Sequence, residues 1–339
     1  MSLRLRYGSI KSNKAPCRCS ANKKGDLPGL ENNIPAAQLR AWVLTAIIPA
    51  ILSVIGRNTW ATVLLMVLGC GALCFCVLTS RIEKFPRWLC IVELGWLTVF
   101  LAGIAKISGS CWEKADAYPW IPIILLILAA FASCKGVTRS ARTGATLLWL
   151  VIPVLGIVFL TGTTDIHANW VPTDLELPDG ALTALLLSPC AAVFLPKERK
   201  GLRWTGFLLG AIALAGSILI YGTLGAQVSQ TTPNSFYEFS KGVTLFGIAE
   251  RFEPLVACTL TGGFFALLTL LLSTIYHLTE KIFPIAAKWI VWLCAIVSAG
   301  VMCILPNSNA WMTIGGVIFW GFLPVAAQGV GGRKNIEKK

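Results

Sequence analysis

Ten apolar segments, separated by short polar or charged loops, constrain this chain more than any other feature of its sequence. We place them at 41–56, 59–79, 88–107, 119–134, 144–162, 180–195, 204–224, 254–277, 286–304 and 311–327. Most approach the length of about 20 residues that an α-helix needs to cross the hydrocarbon core of a bilayer. Only 13% of the 339 residues are charged, against about 25% in soluble domains. The sequence therefore predicts an all-α polytopic membrane protein with ten transmembrane helices.

Positively charged residues alternate between the loops in a way that predicts the orientation of these helices. Of the 29 Lys and Arg residues, 23 fall in the two tails and in every second loop, whereas four fall in the remaining loops. Cytoplasmic loops of membrane proteins carry such an excess of Lys and Arg. We therefore expect a basic, disordered N-terminal tail over residues 1–40 and a C-terminal tail over residues 328–339, both in the cytoplasm. This distribution accounts for the net charge of +13 without a nucleic-acid partner.

Ten helices divide into two halves of five, and an odd number of helices makes the second half begin on the opposite face of the membrane. We expect inverted repeats over residues 41–162 and 180–327, as in LeuT-like transporters. The first helix of each half is short and contains a proline, Pro49 in one and Pro189 in the other. Paired interruptions at corresponding positions indicate a binding site near the middle of the membrane. We predict that helices 1 and 6 are both broken around one such site.

Three stretches of the sequence resemble a known family in their order and spacing. They are IPAAQL at residues 34–39, CKGVTRSARTGATLLWLVIPVLGIVFL at residues 134–160, and FYEFSKGVTLFGIAERFEPL at residues 236–255. The first resembles the entry to helix 1 of the spore germination permeases, and the second resembles their junction between helices 4 and 5. The third resembles their outer loop before helix 8. These permeases are the B-type subunits of nutrient germinant receptors, within the amino acid–polyamine–organocation (APC) superfamily.

The residues that carry the resemblance are Lys135, Gly136, Arg142 and Pro153 in the second stretch, and Glu250 and Arg251 in the third. The glycine-rich break that superfamily transporters carry in helix 1 is absent, and IIPAIL stands in its place. The resemblance implies a protein that senses or transports a small nutrient, with an amino acid as the expected ligand. It also implies companion germinant-receptor subunits, a location in the cell membrane or the inner membrane of a spore, and no cofactor.

The candidate ligand-binding residues are the two prolines, the hydroxyl side chains around them and one acidic residue within a span: Thr45, Pro49, Ser53, Glu93, Thr183, Ser188 and Pro189. A broken helix leaves backbone amides and carbonyls unpaired, and these groups suit the carboxylate and the ammonium of an amino acid. Each proline can instead be a simple kink whose freed groups are satisfied by Ser, Thr or water. Glu93 can accept a proton, contact a substrate amine, or form a structural hydrogen bond.

Thr259 and Thr261 belong to the sequence TLTGG in the eighth segment. LeuT-type sodium transporters supply hydroxyl groups to a cation from this helix, so a cation site is one interpretation. The other is close helix packing, which small residues allow in membranes. We expect no metal site, because neither His167 nor His277 has a second His or Cys at ligand spacing.

The outer loop 225–253 contains Phe236, Phe239, Val243 and Phe246 at helical spacing. This pattern predicts a short amphipathic helix that lies on the outer face.

The sequence also allows three other functions. A proton-coupled amino acid permease would share the same fold. A multi-pass membrane enzyme would need acidic, basic or His side chains that converge at one membrane face. The acidic loop 163–179 is the candidate for such a site, and it contains no Lys or Arg, so we expect no catalytic residues. A membrane scaffold that binds no small molecule is the third alternative.

The predicted orientation can be tested by cysteine labelling in intact cells. The parent protein carries Cys111→Ser, because Cys111 falls in another predicted outer loop. In this parent, Thr173→Cys should react with a membrane-impermeant maleimide from outside the cell. Glu198→Cys, in the inner loop 196–203, should react only after the membrane is permeabilised. Protection of position 173 until permeabilisation would contradict the predicted orientation.

Overall fold

The computed structural model describes these residues of the chain: 34–79, 86–110, 120–163, 166, 174–175, 180–195, 202, 204–242, 252–306 and 310–323. The predicted C-terminal tail and most of the acidic outer loop lie outside these ranges, as does the predicted N-terminal tail up to residue 33. Residues 36–40, which we placed in that tail, form the first turn of a helix instead, and Pro35 stands at its N-terminal cap.

The described residues form α-helices with these bounds: α1 Ala36–Val54, α2 Trp60–Thr79, α3 Arg87–Ser110, α4 Trp120–Ser133, α5 Val137–Gly162, α6 Gly180–Leu187, α7 Thr205–Leu224, α8 Ala226–Thr231, α9 Ser235–Lys241, α10 Glu253–Ile282, α11 Ala287–Ile304 and α12 Ala310–Gly316. Three of them continue in another helical form. A 3₁₀ turn, Ile55–Arg57, follows α1, and a longer 3₁₀ helix, Ser188–Phe194, follows α6. A π-helical turn, Val317–Phe322, follows α12.

Seven helical segments are long and apolar enough to cross a membrane: Ala36–Arg57, Trp60–Leu78, Arg87–Gly109, Val137–Gly162, Thr205–Leu224, Glu253–Ile282 and Ala287–Ile304. Three shorter apolar helices, Trp120–Ser133, Gly180–Phe194 and Ala310–Phe322, occupy the remaining predicted positions. All ten apolar segments are therefore helical, and the prediction of an all-α polytopic membrane protein is confirmed.

Helix α1 lies at the centre of the packing. In its most apolar stretch 83% of the residues are buried, compared with 28% in α5 and 33% in α11. The Trp42 indole donates a hydrogen bond to the carbonyl of Ala266 on α10 at 3.2 Å. The Thr45 hydroxyl donates to the carbonyl of Gly144 on α5 at 2.9 Å. These bonds join α1 to α10 and α5 across the interior.

The predicted break of helix 1 at Pro49 is wrong, because α1 is one continuous α-helix from Ala36 to Val54. The ring of Pro49 lies against Gly263 on α10, where an added Cβ atom would come within 2.6 Å of the Pro49 Cβ. A proline inside a helix costs about 3 kcal/mol relative to alanine. Unpaired backbone groups in an apolar environment cost several kcal/mol each, so a helix packed around the proline is favoured over an unwound segment.

Helix 6 does change its form where the sequence predicts an interruption. The α-helix ends at Leu187, and the 3₁₀ helix begins at Ser188 with Pro189 in its first turn. Pro189 has no N–H group to donate to the carbonyl of Leu185, one α-helical turn earlier. The Ser188 hydroxyl donates to that carbonyl instead, at 2.6 Å. The interruption is therefore a change from α-helix to 3₁₀ helix, not an unwound chain.

The predicted helix in the outer loop is present as α9. Phe236 and Phe239 are both buried, and the Phe239 ring packs against Gly162 at the end of α5. Val243 and Phe246, which we assigned to the same helix, lie outside the described residues. The apolar face of α9 thus covers the ends of the spans, as expected of an amphipathic surface helix.

Two adjacent glycines on α10 provide a matched test of the packing between α1 and α10. Gly263→Ala should lower the free energy of unfolding by about 1–3 kcal/mol, because the added methyl group overpacks against Pro49. Gly262→Ala should change stability little or raise it, because its Cβ would have no neighbour within 4 Å. Thermal unfolding of the purified variants in detergent measures both effects. Equal stabilities would show that the close contact at Pro49 does not constrain the fold.

Candidate functional site

Glu93 on α3 is fully buried and bonded to only one partner that the structure describes. Its Oε1 atom accepts a hydrogen bond of 2.7 Å from the Nε1–H of Trp320. Its Oε2 atom is also buried and has no hydrogen-bond partner among the described residues. Trp320 lies in the π-helical turn after α12, and such turns are frequent at functional sites. Glu93 therefore connects the third span, α3, to the tenth span, which consists of α12 and its π-helical turn. Its Oε2 atom remains available to accept a hydrogen bond.

Five aromatic rings pack between α3 and the tenth span: Trp96, Phe100, Trp311, Phe319 and Trp320. Trp96 and Phe319 are stacked, with ring centroids 4.8 Å apart and an interplanar angle of 4°. Phe100 and Trp320 meet edge to face, with centroids 4.7 Å apart. The Nε1–H groups of Trp96 and Trp311 are buried and have no acceptor in the described part of the chain. The surroundings of Glu93 are thus aromatic, with two unused donors.

Helix α6 also packs against the tenth span and contributes Thr183. The Thr183 hydroxyl is buried and unpaired within the ranges that the structure covers. Two contacts join α6 to α12: the Thr313 hydroxyl lies 3.4 Å from the Gly180 carbonyl, and Gly316 packs against Leu187. The tenth span therefore contacts Glu93 through Trp320 and also contacts α6 along its length.

The other hydroxyl groups predicted to bind a ligand donate to backbone carbonyls. Thr45 lies 2.9 Å from the carbonyls of both Ala41 and Gly144. Ser53 donates to the carbonyl of Ala50 at 2.7 Å, and Ser188 donates to that of Leu185. These three side chains stabilise α1 and the interruption of helix 6. Of the polar residues that we predicted for the ligand site, Glu93 and Thr183 are the two that keep a buried oxygen without a partner among the described residues.

Thr259 and Thr261 form hydrogen bonds within α10. Their hydroxyls donate to the carbonyls of Leu255 and Ala257, one helical turn earlier, both at 2.8 Å. Together with the contact of Gly263 against Pro49, this arrangement favours the packing interpretation of TLTGG over the cation site.

Two functional features escaped the sequence reasoning. The first is Trp320, which the sequence does not identify as the partner of Glu93. A buried acidic side chain is expected to have a hydrogen-bond donor, but several tryptophans in the spans could supply it. The pairing joins residues 227 positions apart, and nothing in the sequence selects one tryptophan. The second feature is Cys74 on α2, whose thiol lies 3.3 Å from the Leu186 carbonyl and 3.4 Å from the Cys190 sulfur. It supports helix 6 at its interruption.

No protein-family profile matches the sequence, and no curated protein resembles it significantly. Among solved structures, the chain is similar to Mhp1, described as a nucleobase-cation-symport-1 family transporter in a closed conformation with bromovinylhydantoin bound. The TM-score is 0.53 and the sequence identity is 14%, over 87% of this chain and 78% of Mhp1. At this identity the likeness shows the fold, which is the LeuT-like fold that the ten-helix topology predicts.

The hydrogen bond between Glu93 and Trp320 can be measured with a double-mutant cycle. Trp320→Phe should destabilise the protein in the wild-type background, because it removes a donor and leaves both carboxyl oxygens without a partner. The same change should cost about 0.5–3 kcal/mol less in a Glu93→Met background, where no carboxyl group remains. Trp311→Phe is the control, because its Nε1 has no partner among the described residues and its cost should be equal in both backgrounds. Additive costs for Trp320→Phe in thermal unfolding would contradict the bond.

Proposed function

We propose that this protein binds a small polar nutrient inside the membrane and either transports or senses it. The binding site lies between the third span, the helix α6 and the tenth span. The observation that carries this proposal is a pair of buried oxygens, Glu93 Oε2 and Thr183 Oγ1, that have no hydrogen-bond partner in the described ranges of the chain. The large majority of buried side-chain polar atoms in proteins have a hydrogen-bond partner, so a bound molecule is a direct way to satisfy these two.

The chemistry of the two groups suits an amino acid. Glu93 accepts a hydrogen bond from the ligand ammonium group, and a charge-assisted bond of this kind is about twice as strong as a neutral one. Thr183 donates to the ligand carboxylate. Ser188 and Pro189 act by fixing the change from α-helix to 3₁₀ helix below Thr183. Thr45, Pro49 and Ser53 act by holding α1 in place.

The resemblance to spore germination permeases supports the sensing role, with companion subunits and both termini in the cytoplasm. The LeuT-like fold supports the transporting role, including a proton-coupled amino acid permease. In a proton-coupled permease, Glu93 is the group that would carry the proton. It lies buried inside a span and forms no salt bridge within the described residues. Neither role requires catalytic residues, and we propose none.

A planar heterocycle is the second candidate ligand, and the aromatic cluster favours it. Rings such as Trp96 and Phe319 can stack on a flat ligand. The Nε1–H groups of Trp96 and Trp311, which have no acceptor within the part of the chain that the structure describes, can donate to its ring carbonyls. Mhp1, which shares the fold, has bromovinylhydantoin bound. A thermal-shift screen of the purified protein against the twenty amino acids and a set of nucleobases and hydantoins decides between the two classes.

Thr183→Val tests the proposed site with a ligand from that screen. Removal of an unpaired buried hydroxyl should leave the unliganded protein equally stable or more stable. It should weaken ligand binding by roughly 2–13-fold, which corresponds to about 0.5–1.5 kcal/mol for one hydrogen bond. Glu93→Gln should weaken binding of an amino acid more, because it removes a charged acceptor. Isothermal titration and thermal unfolding measure the two quantities separately.

Thr45→Val is the matched control. It also replaces a buried threonine hydroxyl by a methyl group, but this hydroxyl already donates to backbone carbonyls. It should lower the stability of the unliganded protein by about 0.5–1.5 kcal/mol, since the hydrogen bond from the Thr45 hydroxyl to the Gly144 carbonyl is lost. Its ligand affinity should change less than that of Thr183→Val. Full ligand affinity in both Thr183→Val and Glu93→Gln would rule out this site.

A further inference from the structure

A lateral pocket opens between α1, α4, α5 and α10, and its lining includes no residue of the proposed nutrient site. Its volume is about 260 Å³. Pockets for complete drug-sized ligands have volumes of about 300–1,000 Å³. The pocket therefore suits one part of a longer molecule whose remainder lies outside the protein.

The inner wall of the pocket is apolar. It is built from Trp42 on α1, Leu147 on α5 and Phe265 on α10, and the exposed ring of Phe131 on α4 forms its outer edge. The hydroxyl of Thr143, which also lines the pocket, donates to the Arg139 carbonyl at 3.1 Å. The interior thus offers hydrophobic contact to an occupant and suits a hydrocarbon chain.

The rim of the pocket is positively charged. Lys135 and Arg139 both line it, and neither forms a salt bridge within the part of the chain that the structure describes. The Lys135 Nζ atom lies 4.8 Å from the centroid of the Phe131 ring, directly at the boundary between the charged rim and the apolar wall. Both residues follow the end of α4, on the face that the basic loops assign to the cytoplasm. The rim therefore suits an anionic group at the membrane surface.

The surfaces beside the pocket face the bilayer. On α4, Ile127, Leu128 and Phe131 are each at least half exposed, and on α5 Trp149 is 83% exposed. Apolar side chains on the outside of membrane spans contact lipid. A molecule that enters the pocket from this side comes from the membrane and not from water.

We propose that this pocket binds an anionic phospholipid of the inner leaflet. One acyl chain lies in the apolar part of the pocket, and the phosphate group contacts Lys135 and Arg139. Basic pockets between transmembrane helices on the cytoplasmic side recognise anionic headgroups in this way. The site is independent of the proposed nutrient site, since it uses neither Glu93 nor Thr183.

The test measures binding of phosphatidylglycerol to the purified, delipidated protein by native mass spectrometry and thermal shift. Phosphatidylcholine with the same acyl chains and soluble glycerol phosphate serve as comparison ligands. Lys135→Gln combined with Arg139→Gln should weaken phosphatidylglycerol binding roughly 30-fold, given about a fivefold effect of each cation near an anionic headgroup. Leu147→Trp, which fills the apolar part and keeps both cations, should weaken it independently.

The matched control is Arg142→Gln combined with Lys288→Gln. It removes two exposed cations near the same end of α4, and neither residue lines the pocket. Lys288 is close to this end because its carbonyl lies 4.0 Å from the sulfur of Cys134, which directly follows α4. This control should lose less than about fivefold in affinity. Equal losses in the two double variants would overturn the proposal in favour of non-specific surface attraction. Equal binding of phosphatidylcholine, or the same thermal shift with glycerol phosphate alone, would overturn it as well.

Discussion

In an apolar environment each backbone carbonyl that loses its helical donor must find another one inside the protein. This requirement controls where helix 6 departs from α-helical geometry. Pro189 cannot donate to the Leu185 carbonyl, and the Ser188 hydroxyl takes its place at 2.6 Å. The Cys74 thiol of α2 covers the next carbonyl, that of Leu186. Because the freed carbonyls are bound, the 3₁₀ helix is stable without unwinding, and its position is fixed by a neighbouring span.

Helix α1 shows that a proline alone does not determine a break. Pro49 faces Gly263 on α10, and the missing side chain of the glycine leaves room for the proline ring. Pro49 is buried, and the α-helix is continuous through Val54. The sequence shows both prolines equally well. It does not show that one meets a glycine on a helix more than 200 residues away, while the other is followed by a 3₁₀ helix.

Local patterns were sufficient to predict the apolar helices and α9, but not α8 or the contacts that determine the site. Length and apolar character located all ten apolar helices, and the spacing of Phe236 and Phe239 located α9. Hydroxyl side chains near the prolines were less informative, because Ser and Thr in helices commonly donate to their own backbone carbonyls. Ser188 does so. Glu93 could be chosen because a buried carboxyl group requires a reason, but its partner Trp320 depends on tertiary packing and on a π-helical turn without a recognised sequence signature.

The interior has two parts that differ in helix geometry. One is built from the regular helices α1, α5 and α10, and the other contains the 3₁₀ helix after α6 and the π-helical turn after α12. Trp42, Thr45 and Pro49 lie on one face of α1, at the i, i+3 and i+7 positions, and each contacts α5 or α10. These contacts make α1, α5 and α10 a closely bonded unit that also forms part of the lateral pocket. Thr183, by contrast, lies on the helix that leads into the 3₁₀ segment, and Glu93 bonds to the π-helical turn. Glu93 and Thr183 themselves lie in regular α-helix, and each is connected to an irregular segment, Glu93 through its hydrogen bond to Trp320 and Thr183 through the continuation of α6 into the 3₁₀ helix.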